Sequence, residues 1–481
     1  MTERLFRSLA VWPMKPEKRA QFETVVAAAV THHKAGRLPQ AEAAYFAALK
    51  ILPGHAGVMH NLGVLAATRG EHAAAIERFD VSIQADPSYS SAHYNRAISF
   101  EALGRRSEAI KGFARAAGLE PDHYSSHRAL GFLLLAEGNR GRALDHFART
   151  YELRRGEDRT GIASKSLASA TRAKLMHDAE QFRYLAQRRR DGYRFELLGE
   201  NYEAVGRIFP QTSTKLSDAD LELLGEDYNT AICLLDAPEI AGGAVRKRTD
   251  TDEITKVFGT DRNGAIYFDD FLTPQALSAL KRYLLESTIW HDFGYIGGFV
   301  ASYLEDGLAC PLMLQIADEA RAAFPELLET QPLSQAWAFK GLEASSAVDV
   351  HADDATFSIN FWVTPWDANR TPGRGGLVIY RTPPPTDWAI EGYGADQRRI
   401  VAFLEQTAGD RLVVPYRENR AVLFESRLFH HSDITEFRKG YEYHRINITL
   451  LFGNRCRSHE KTLAQPVAGQ KTRVPKLTHK R

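Results

Sequence analysis

The sequence is poor in cysteine and contains no long apolar run. Its three cysteines, Cys233, Cys310 and Cys456, lie far apart, which excludes a cysteine-based zinc motif and is typical of a reducing compartment. No run of about eighteen apolar residues occurs, so neither a membrane span nor a membrane partner is predicted. The N-terminal stretch lacks a long apolar segment, so no secretory signal is visible. These absences predict a cytoplasmic protein.

An excess of charge of either sign is also missing. The formal net charge is +1, with 25% charged residues, and this balance gives no reason to expect a nucleic-acid partner. At 481 residues the chain is too long for one ordinary core, so two or three domains are expected.

Four columns of residues repeat with a period of 34 in the first third of the chain. Each unit is predicted to be a helix, a tight turn and a second helix. Glycine fits the turn, alanine lets the two helices touch, an aromatic side chain fills the gap behind it, and proline precedes the next unit. The columns are Pro53, Pro87 and Pro121; Gly36, Gly70, Gly104 and Gly138; Ala41, Ala75, Ala109 and Ala143; and Tyr45, Phe79, Phe113 and Phe147.

This pattern closely resembles tetratricopeptide repeats, with Leu62-Gly63 and Leu130-Gly131 at the expected places in the first helices. The resemblance implies a curved solenoid whose concave face binds partners, so a protein or peptide partner is expected. Four first-helix residues are either close to that groove or ordinary solvated positions. They are Asn61, Tyr94, Asn95 and Arg128.

Beyond the repeats, helical spacing continues to about residue 239, and His177 in this stretch is interpreted as structural. Later the sequence consists of short segments in which polar and apolar residues alternate with a period of two, separated by turn residues. Such segments predict a β-sandwich or barrel of jelly-roll type. The segments are QAWAFKG, ATFSINFWVT, GLVIYRT, RLVVPY, RAVLFES and RINITLLFG.

Two of these strands have a polar face. Ser358 and Asn360 alternate with apolar residues in one strand, and Arg445, Asn447 and Thr449 do so in another. Successive side chains of a strand point to opposite faces. The polar faces therefore either contact solvent or line a polar interior that holds a ligand.

The motif His-x-Asp occurs twice, at His351 and Asp353 and again at His431 and Asp433. With 17 histidines in the chain, about one such motif is expected by chance. The motif alone therefore identifies no metal site. The residues elsewhere in the chain determine which of the two motifs is the better candidate.

A site of two histidines and one carboxylate needs a third ligand from a strand that is distant in sequence but adjacent in the fold. For His351, such a ligand is available in His430, several strands later, and Arg445 follows on the polar face of the next strand. For His431, the next histidine, His444, is too close in sequence to cross a sandwich and return. The first motif is therefore the better candidate.

Four segments of this region resemble Fe(II)- and 2-oxoglutarate-dependent oxygenases, in particular the bacterial group in which tetratricopeptide repeats precede the oxygenase domain. The resemblance implies a double-stranded β-helix, with Fe(II), 2-oxoglutarate and O₂ taking part in the reaction. The segments are HAD at 351–353, GGLVIY at 375–380, LFHHSD at 428–433 and GYEYHRINITLLFG at 440–453.

The same resemblance implies roles for individual residues. His351, Asp353 and His430 would bind Fe(II), and the family pattern favours His430 over His431 as the third ligand. Arg445 would pair with the distal carboxylate of 2-oxoglutarate. Asn447 or Thr449 would add a hydrogen bond, and the remaining candidate cavity residues are Ser358, Asn360 and Tyr380.

The prediction is an α+β multidomain hydroxylase, an α-solenoid followed by a jelly-roll oxygenase domain, whose substrate is a protein or a small molecule. The alternative is a tetratricopeptide scaffold with an inactive or differently metallated cupin-like domain. The predicted limits are an N-terminal segment 1–21, a repeat array 22–157, a helical linker region 158–254, an oxygenase domain 255–453 and a basic flexible tail 454–481.

Overall fold

The computed structural model of the chain consists of two compact units. The first unit ends at Pro121 and the second begins at Asp122. The predicted basic tail lies outside the described residues, and the predicted domain limits stay predictions. No helix of the described part is both long and apolar enough to cross a membrane. The described residues are 15–156, 169–260, 264–294, 298–342, 349–385, 388, 397–407, 410–433 and 435–453.

The first unit consists of helix pairs, and its described residues form six helices. Gly36, Gly70 and Gly104, in the turns within the pairs, have φ of 70°, 77° and 71°, a left-handed conformation that glycine adopts without strain. The repeated alanines and aromatic side chains are buried as predicted. A helical repeat region of tetratricopeptide type is therefore confirmed. The helices are α1 (Pro16–Lys34), α2 (Leu38–Ile51), α3 (Ala56–Thr68), α4 (His72–Ala85), α5 (Ser90–Ala102) and α6 (Arg106–Leu119).

The fourth helix pair, α7 (Tyr124–Ala136) and α8 (Arg140–Arg155), belongs to the second unit. The last residue of α8 contributes to this, because the Arg155 guanidinium donates two hydrogen bonds of 2.8 and 2.7 Å to Asp306. Both side chains are buried. Periodicity groups this pair with the other repeats and gives no sign of a partner 151 positions away.

Gly131 of α7 lies against Phe147 of α8. A Cβ atom at position 131 would be 2.6 Å from the Phe147 ring, so Gly131→Ala is expected to lower the free energy of unfolding by about 1–3 kcal/mol through overpacking. Gly141 in α8 is the control, because a Cβ there meets nothing within 4 Å. Gly141→Ala is expected to be neutral or stabilising by up to about 1 kcal/mol. Urea unfolding measures both variants, and equal destabilisation by the two would contradict the packing argument.

Further helices follow the repeats, as predicted. Phe182, Phe195 and Tyr202 belong to a buried cluster among them. His177 is buried, and its Nδ1 lies 2.9 Å from Oδ1 of Asp178, which agrees with a structural role. The elements here are β1 (Ser169–Ala170), α9 (Arg172–Ala186), α10 (Gly192–Ile208), β2 (Thr214–Lys215), α11 (Asp218–Leu224), α12 (Thr251–Thr260), α13 (Pro274–Glu286), α14 (Pro311–Ala323) and α15 (Pro325–Leu328).

Two antiparallel sheets follow, which confirms the predicted β-rich region. Its strands are β3 (Ala265–Phe268), β4 (Phe299–Tyr303), β5 (Leu333–Gly341), β6 (Phe357–Trp362), β7 (Leu377–Tyr380), β8 (Arg411–Val414), β9 (Ala421–Glu425), β10 (His430–Ser432) and β11 (Arg445–Phe452), with α16 (Gln397–Gln406) between β7 and β8.

Among the described residues, the larger sheet has the strand order β3-β9-β6-β11-β5-β4, and the smaller sheet has the order β10-β7-β8. The described strands do not close into one continuous barrel. A buried cluster joins the two sheets, with Trp362 and Val422 from the larger and Ile379 and Val414 from the smaller. The core of this region therefore lies between the sheets.

The strand register determines which polar side chains face this core. Asn447 pairs with Trp362, and Thr449 pairs with Asn360. Directly paired residues share a face of the sheet, and Trp362 belongs to the core between the sheets. All four side chains are buried, so this polar face lines an interior and is not the solvated alternative.

Candidate metal centre

Three side chains with metal-binding atoms converge beside this interior. Nε2 of His351 lies 3.6 Å from Oδ1 of Asp353, and Nε2 of His430 lies 3.6 Å from Oδ2 of the same carboxylate. One ligand atom from each residue lies within 4.8 Å of the others. The structure thus brings together the three residues predicted as metal ligands, and two imidazoles with one carboxylate are the ligand set of non-haem Fe(II) sites.

Backbone pairing sets this convergence. His351 and His430 form an antiparallel bridge, in which the N–H of His351 donates to the carbonyl of His430 at 3.0 Å and the reverse bond is 2.8 Å. The N–H of Asp353 donates to the carbonyl of Ser426 at 2.9 Å. Because residues two apart share a face, Asp353 follows His351 to the same side.

Both imidazoles are oriented by main-chain carbonyls. Nδ1 of His351 lies 2.8 Å from the Asp349 oxygen, and Nδ1 of His430 lies 2.9 Å from the Leu428 oxygen. An N–H at each Nδ1 leaves the lone pair of Nε2 directed at the carboxylate. Burial, and then the nearby His351, lower the pKa of His430 to about 4, so His430 is neutral and able to bind a metal near pH 7.

Two serine side chains form a hydrogen-bonded chain to the Asp353 carboxylate. The hydroxyl of Ser358 donates to Oδ2 of Asp353 at 2.7 Å, and it lies 2.8 Å from the hydroxyl of Ser426. All three side chains are buried. Ser358 therefore supports the carboxylate of the candidate metal ligand Asp353, and the cofactor contact predicted for it stays a prediction.

His431 points away from this cluster. Its neighbour His430 pairs with Ile379, which belongs to the core between the sheets, so His431 lies on the outer face of the smaller sheet. Its Nε2 is 3.4 Å from the hydroxyl of Tyr380. Tyr380 packs there with Ile400 of α16, so the structure does not place it in the cavity, where the sequence analysis had it. The alternation of side chains along the strand explains both positions.

Arg445 crosses the interior toward the smaller sheet. Its Nε and Nη2 each donate a hydrogen bond of 3.0 Å, to the carbonyl oxygens of Gly375 and Gly376. Its guanidinium carbon lies 5.7 Å from the centre of the Trp362 ring. Burial lowers the pKa of Arg445 to about 10, so the group is charged near pH 7. The nearby Asp433 acts on this charge electrostatically, but within the described ranges no carboxylate forms an ion pair with it.

The second His-x-Asp motif fixes the loop that holds Arg445. Asp433 is buried, accepts a 3.1 Å hydrogen bond from the N–H of Gly375 and pairs with Arg374 at 2.8 Å. At Gly376 a Cβ would lie 2.0 Å from the carbonyl oxygen of Val414, so only glycine fits. Sequence reasoning missed this role for the two glycines, and the signal was their position directly before a strand.

Three buried polar atoms on the inner face have no hydrogen-bond partner among the residues that the structure describes. They are Oδ1 of Asn360, Oδ1 of Asn447 and Nε1 of Trp362. The two asparagines are among the residues predicted to line the cavity. Rotating an amide by 180° exchanges its oxygen and nitrogen, so each asparagine can offer a donor or an acceptor. A buried polar group without a partner costs about 1–3 kcal/mol, so these atoms suit a polar ligand between the sheets.

The repeat residues suggested for a groove have protein contacts of their own. Asn61 is buried, and Nδ2 of Asn95 lies 2.8 Å from Nε2 of His60. Nε of Arg128 donates to Glu305 at 3.0 Å. Asn61 is therefore not an ordinary solvated position, and the groove role of these residues stays a prediction.

Comparisons with known proteins add little to this geometry. No protein-family model and no curated protein matches the sequence. A mutant O-GlcNAc transferase from Thermobaculum terrenum is 26% identical over 29% of this chain, with a TM-score of 0.26, and the chain spans only 28% of its length. MamA from Desulfovibrio magneticus is 20% identical over 28% of this chain and 77% of its own, with a TM-score of 0.27. The first tetratricopeptide domain of Spaghetti (RPAP3), bound to an HSP90 peptide, is 20% identical over 24% of this chain and 93% of its own, with a TM-score of 0.24. Scores this low carry no argument about activity.

Proposed function

We propose that this protein is an Fe(II)- and 2-oxoglutarate-dependent oxygenase, acting as a hydroxylase. The observation that carries the proposal is the combination of the His351, Asp353 and His430 cluster with the buried Arg445, which forms no ion pair with a carboxylate among the described residues. The cluster alone would suit several metals. A buried guanidinium in the same interior adds a site for a carboxylate, and 2-oxoglutarate offers one at each end.

The residues of the chain have distinct tasks in this proposal. His351, Asp353 and His430 would hold Fe(II) from one side and leave its other positions open. Bound Fe(II) supplies the activation of O₂, with 2-oxoglutarate as the co-substrate that is converted to succinate and CO₂. Arg445 would bind the distal carboxylate through the guanidinium N–H groups that Gly375 and Gly376 leave free, and the amide of Asn447 would add a donor. The apolar cluster between the sheets keeps water out.

The fold assignment belongs to the same proposal. Two facing antiparallel sheets with a shared core support a double-stranded β-helix of jelly-roll type. The repeat region would recruit a protein or peptide partner, and that partner would be or deliver the substrate. A small-molecule substrate is the alternative.

Anaerobic metal loading followed by turnover tests the proposal. The purified full chain is given Fe(II) and 2-oxoglutarate, and binding of each and succinate formation in air are measured. Binding of both with slow succinate formation in the absence of substrate is the expected result. A chain that binds neither is a scaffold with an inactive domain, and one that binds metal but no 2-oxoglutarate is a differently metallated cupin-like protein.

Arg445→Met separates the co-substrate site from the metal site. Hydrogen bonds to charged groups contribute about 1.5–3 kcal/mol, so affinity for 2-oxoglutarate is expected to fall by roughly 10- to 150-fold. Fe(II) binding is expected to stay unchanged. Arg411→Met is the matched control, since Arg411 is an exposed arginine of β8. The role of Arg445 is disproved if calorimetry finds the same 2-oxoglutarate affinity in both variants.

A further inference from the structure

A second concave surface lies in the same unit as the metal centre, on a different set of side chains. It is a groove of about 620 Å³, here called the aromatic groove. None of its lining residues is a metal-ligand candidate or Arg445. Its aromatic and charged lining residues are Tyr267, Trp366, Tyr416, Arg417 and Arg420.

The groove exposes large apolar side chains to solvent. Trp366 is 70% exposed and Tyr267 is 39% exposed, and Pro372 and Pro415 extend the apolar lining. An exposed aromatic side chain costs free energy in water, so a contiguous set of them in a concave surface indicates a binding site.

The segment that carries Trp366 is fixed to the body of the unit. Its short helical turn, Trp366–Ala368, ends in the buried Ala368. The carbonyl of Ala368 accepts a 2.8 Å hydrogen bond from the N–H of Arg438, and Asn369 bridges to Phe437. Trp366 therefore lies on a turn whose backbone is already fixed. Less conformational entropy is lost when a partner binds to it.

The polar part of the lining is positive. Arg417 and Arg420 both pair with Asp269, at 2.8 and 2.6 Å, so one carboxylate is shared by two guanidinium groups. Arg417 keeps 56% of its side chain exposed. The lining contains no carboxylate, so an acidic partner complements it.

Two polar side chains of the lining already have partners within the protein. The amide of Asn369 is used within its own loop, where Nδ2 donates to Thr371 and Arg374 and Oδ1 accepts from Thr371. The hydroxyl of Tyr416 donates to the carbonyl of Thr364. A proline-rich segment has few N–H groups to satisfy, and its extended helix packs on aromatic rings and proline surfaces.

We propose that the aromatic groove binds an acidic, proline-rich peptide segment of a partner protein. The proline rings lie against Trp366 and Tyr267, and a carboxylate pairs with Arg417. This docking site is independent of the proposed oxygenase reaction and holds whether or not the metal centre is active.

Fluorescence anisotropy with labelled synthetic peptides tests the proposal on the full chain. The probe is a nine-residue peptide of repeated Pro-Pro-Glu units, and its counterpart has Lys in place of Glu. The Glu peptide is expected to bind at least about tenfold more tightly than the Lys peptide, and Trp366→Ala to weaken it by at least about tenfold. Arg417→Glu is expected to reverse the preference between the two peptides.

Tyr193→Ala is the control, because Tyr193 is an aromatic residue of α10 that is 83% exposed and lies outside the groove. It is expected to leave binding of the Glu peptide unchanged. The proposal fails if neither peptide binds, if the Lys peptide binds equally well, or if Trp366→Ala has no effect. It also fails if sedimentation shows a dimer of the wild type that Trp366→Ala dissociates, since a second copy would then be the occupant.

Discussion

Replacing Asp353 by alanine is expected to abolish measurable Fe(II) binding. The carboxylate lies between the two imidazoles and supplies the only negative charge of the cluster among the described residues. Loss of a residue that merely supports a metal ligand typically lowers metal affinity 10- to 100-fold, so loss of the ligand itself is expected to exceed about 100-fold. Anaerobic titration with Fe(II) measures this, and His430→Ala is expected to behave in the same way.

His431→Ala provides the matched control for the ligand set. His431 adjoins His430 but lies on the outer face beside Tyr380, so its removal is expected to leave Fe(II) affinity unchanged. Circular dichroism of each variant shows whether the fold is kept. If His431→Ala lost the metal while His430→Ala bound it normally, the ligand assignment would be wrong.

Replacing Asp306 by alanine is expected to destabilise the second unit by about 3–5 kcal/mol. The Arg155–Asp306 pair is bidentate, and each side chain is only 2% exposed. Removing the carboxylate leaves the guanidinium buried without its partner, and this costs far more than the pair itself contributes. Urea unfolding monitored by tryptophan fluorescence measures the loss.

Two comparisons make this result specific. The double variant Arg155→Met with Asp306→Leu is expected to recover most of the stability, because Arg154, the other partner of Asp306, is 33% exposed and its charge stays in contact with water. Arg140→Ala removes a more exposed arginine that pairs with Glu239 and Asp318 and is expected to cost at most about 1 kcal/mol. A double variant no more stable than Asp306→Ala would contradict the explanation by buried charge.

The Arg155–Asp306 pair also makes the stability of the folded state depend on pH. Burial raises the pKa of Asp306, but Arg155 and Arg154 outweigh burial, and the pKa lies below its ordinary value. A carboxyl group with a lowered pKa stabilises the folded state above its ordinary value of about 4 and loses that contribution as the pH falls through the folded pKa. The effect of Asp306→Ala is therefore expected to be full at pH 7 and to shrink in acid.

The repeats could be predicted because each column of residues recurs locally. Gly70 and Phe79, for example, have counterparts one period away, and a helix pair needs no distant partner to form. That the fourth pair belongs to the second unit could not be predicted, since its contacts there, such as Arg155 with Asp306 and Tyr151 with His291, join residues about 140 to 150 positions apart. The periodic pattern marks Arg155 only as the position where the proline column ends, since proline is expected 34 residues after Pro121.

The candidate site was predictable where alternation along a strand decides the outcome. Asn360 and Arg445 face the interior because polar and apolar residues alternate around them. The choice between His430 and His431 depends on which of them pairs with an inward-facing residue of β7. This strand register cannot be determined from the sequence alone. The same limit explains why Tyr380 was expected in the cavity.

The ion pair of Arg155 also determines where the chain can be cut. A fragment beginning at residue 158, the start of the predicted linker region, would lack α8 and leave Asp306 without Arg155. A fragment beginning before Tyr124 keeps α7, α8 and the pair intact. The smallest piece suited to separate expression of the candidate metal centre therefore includes the last helical repeat.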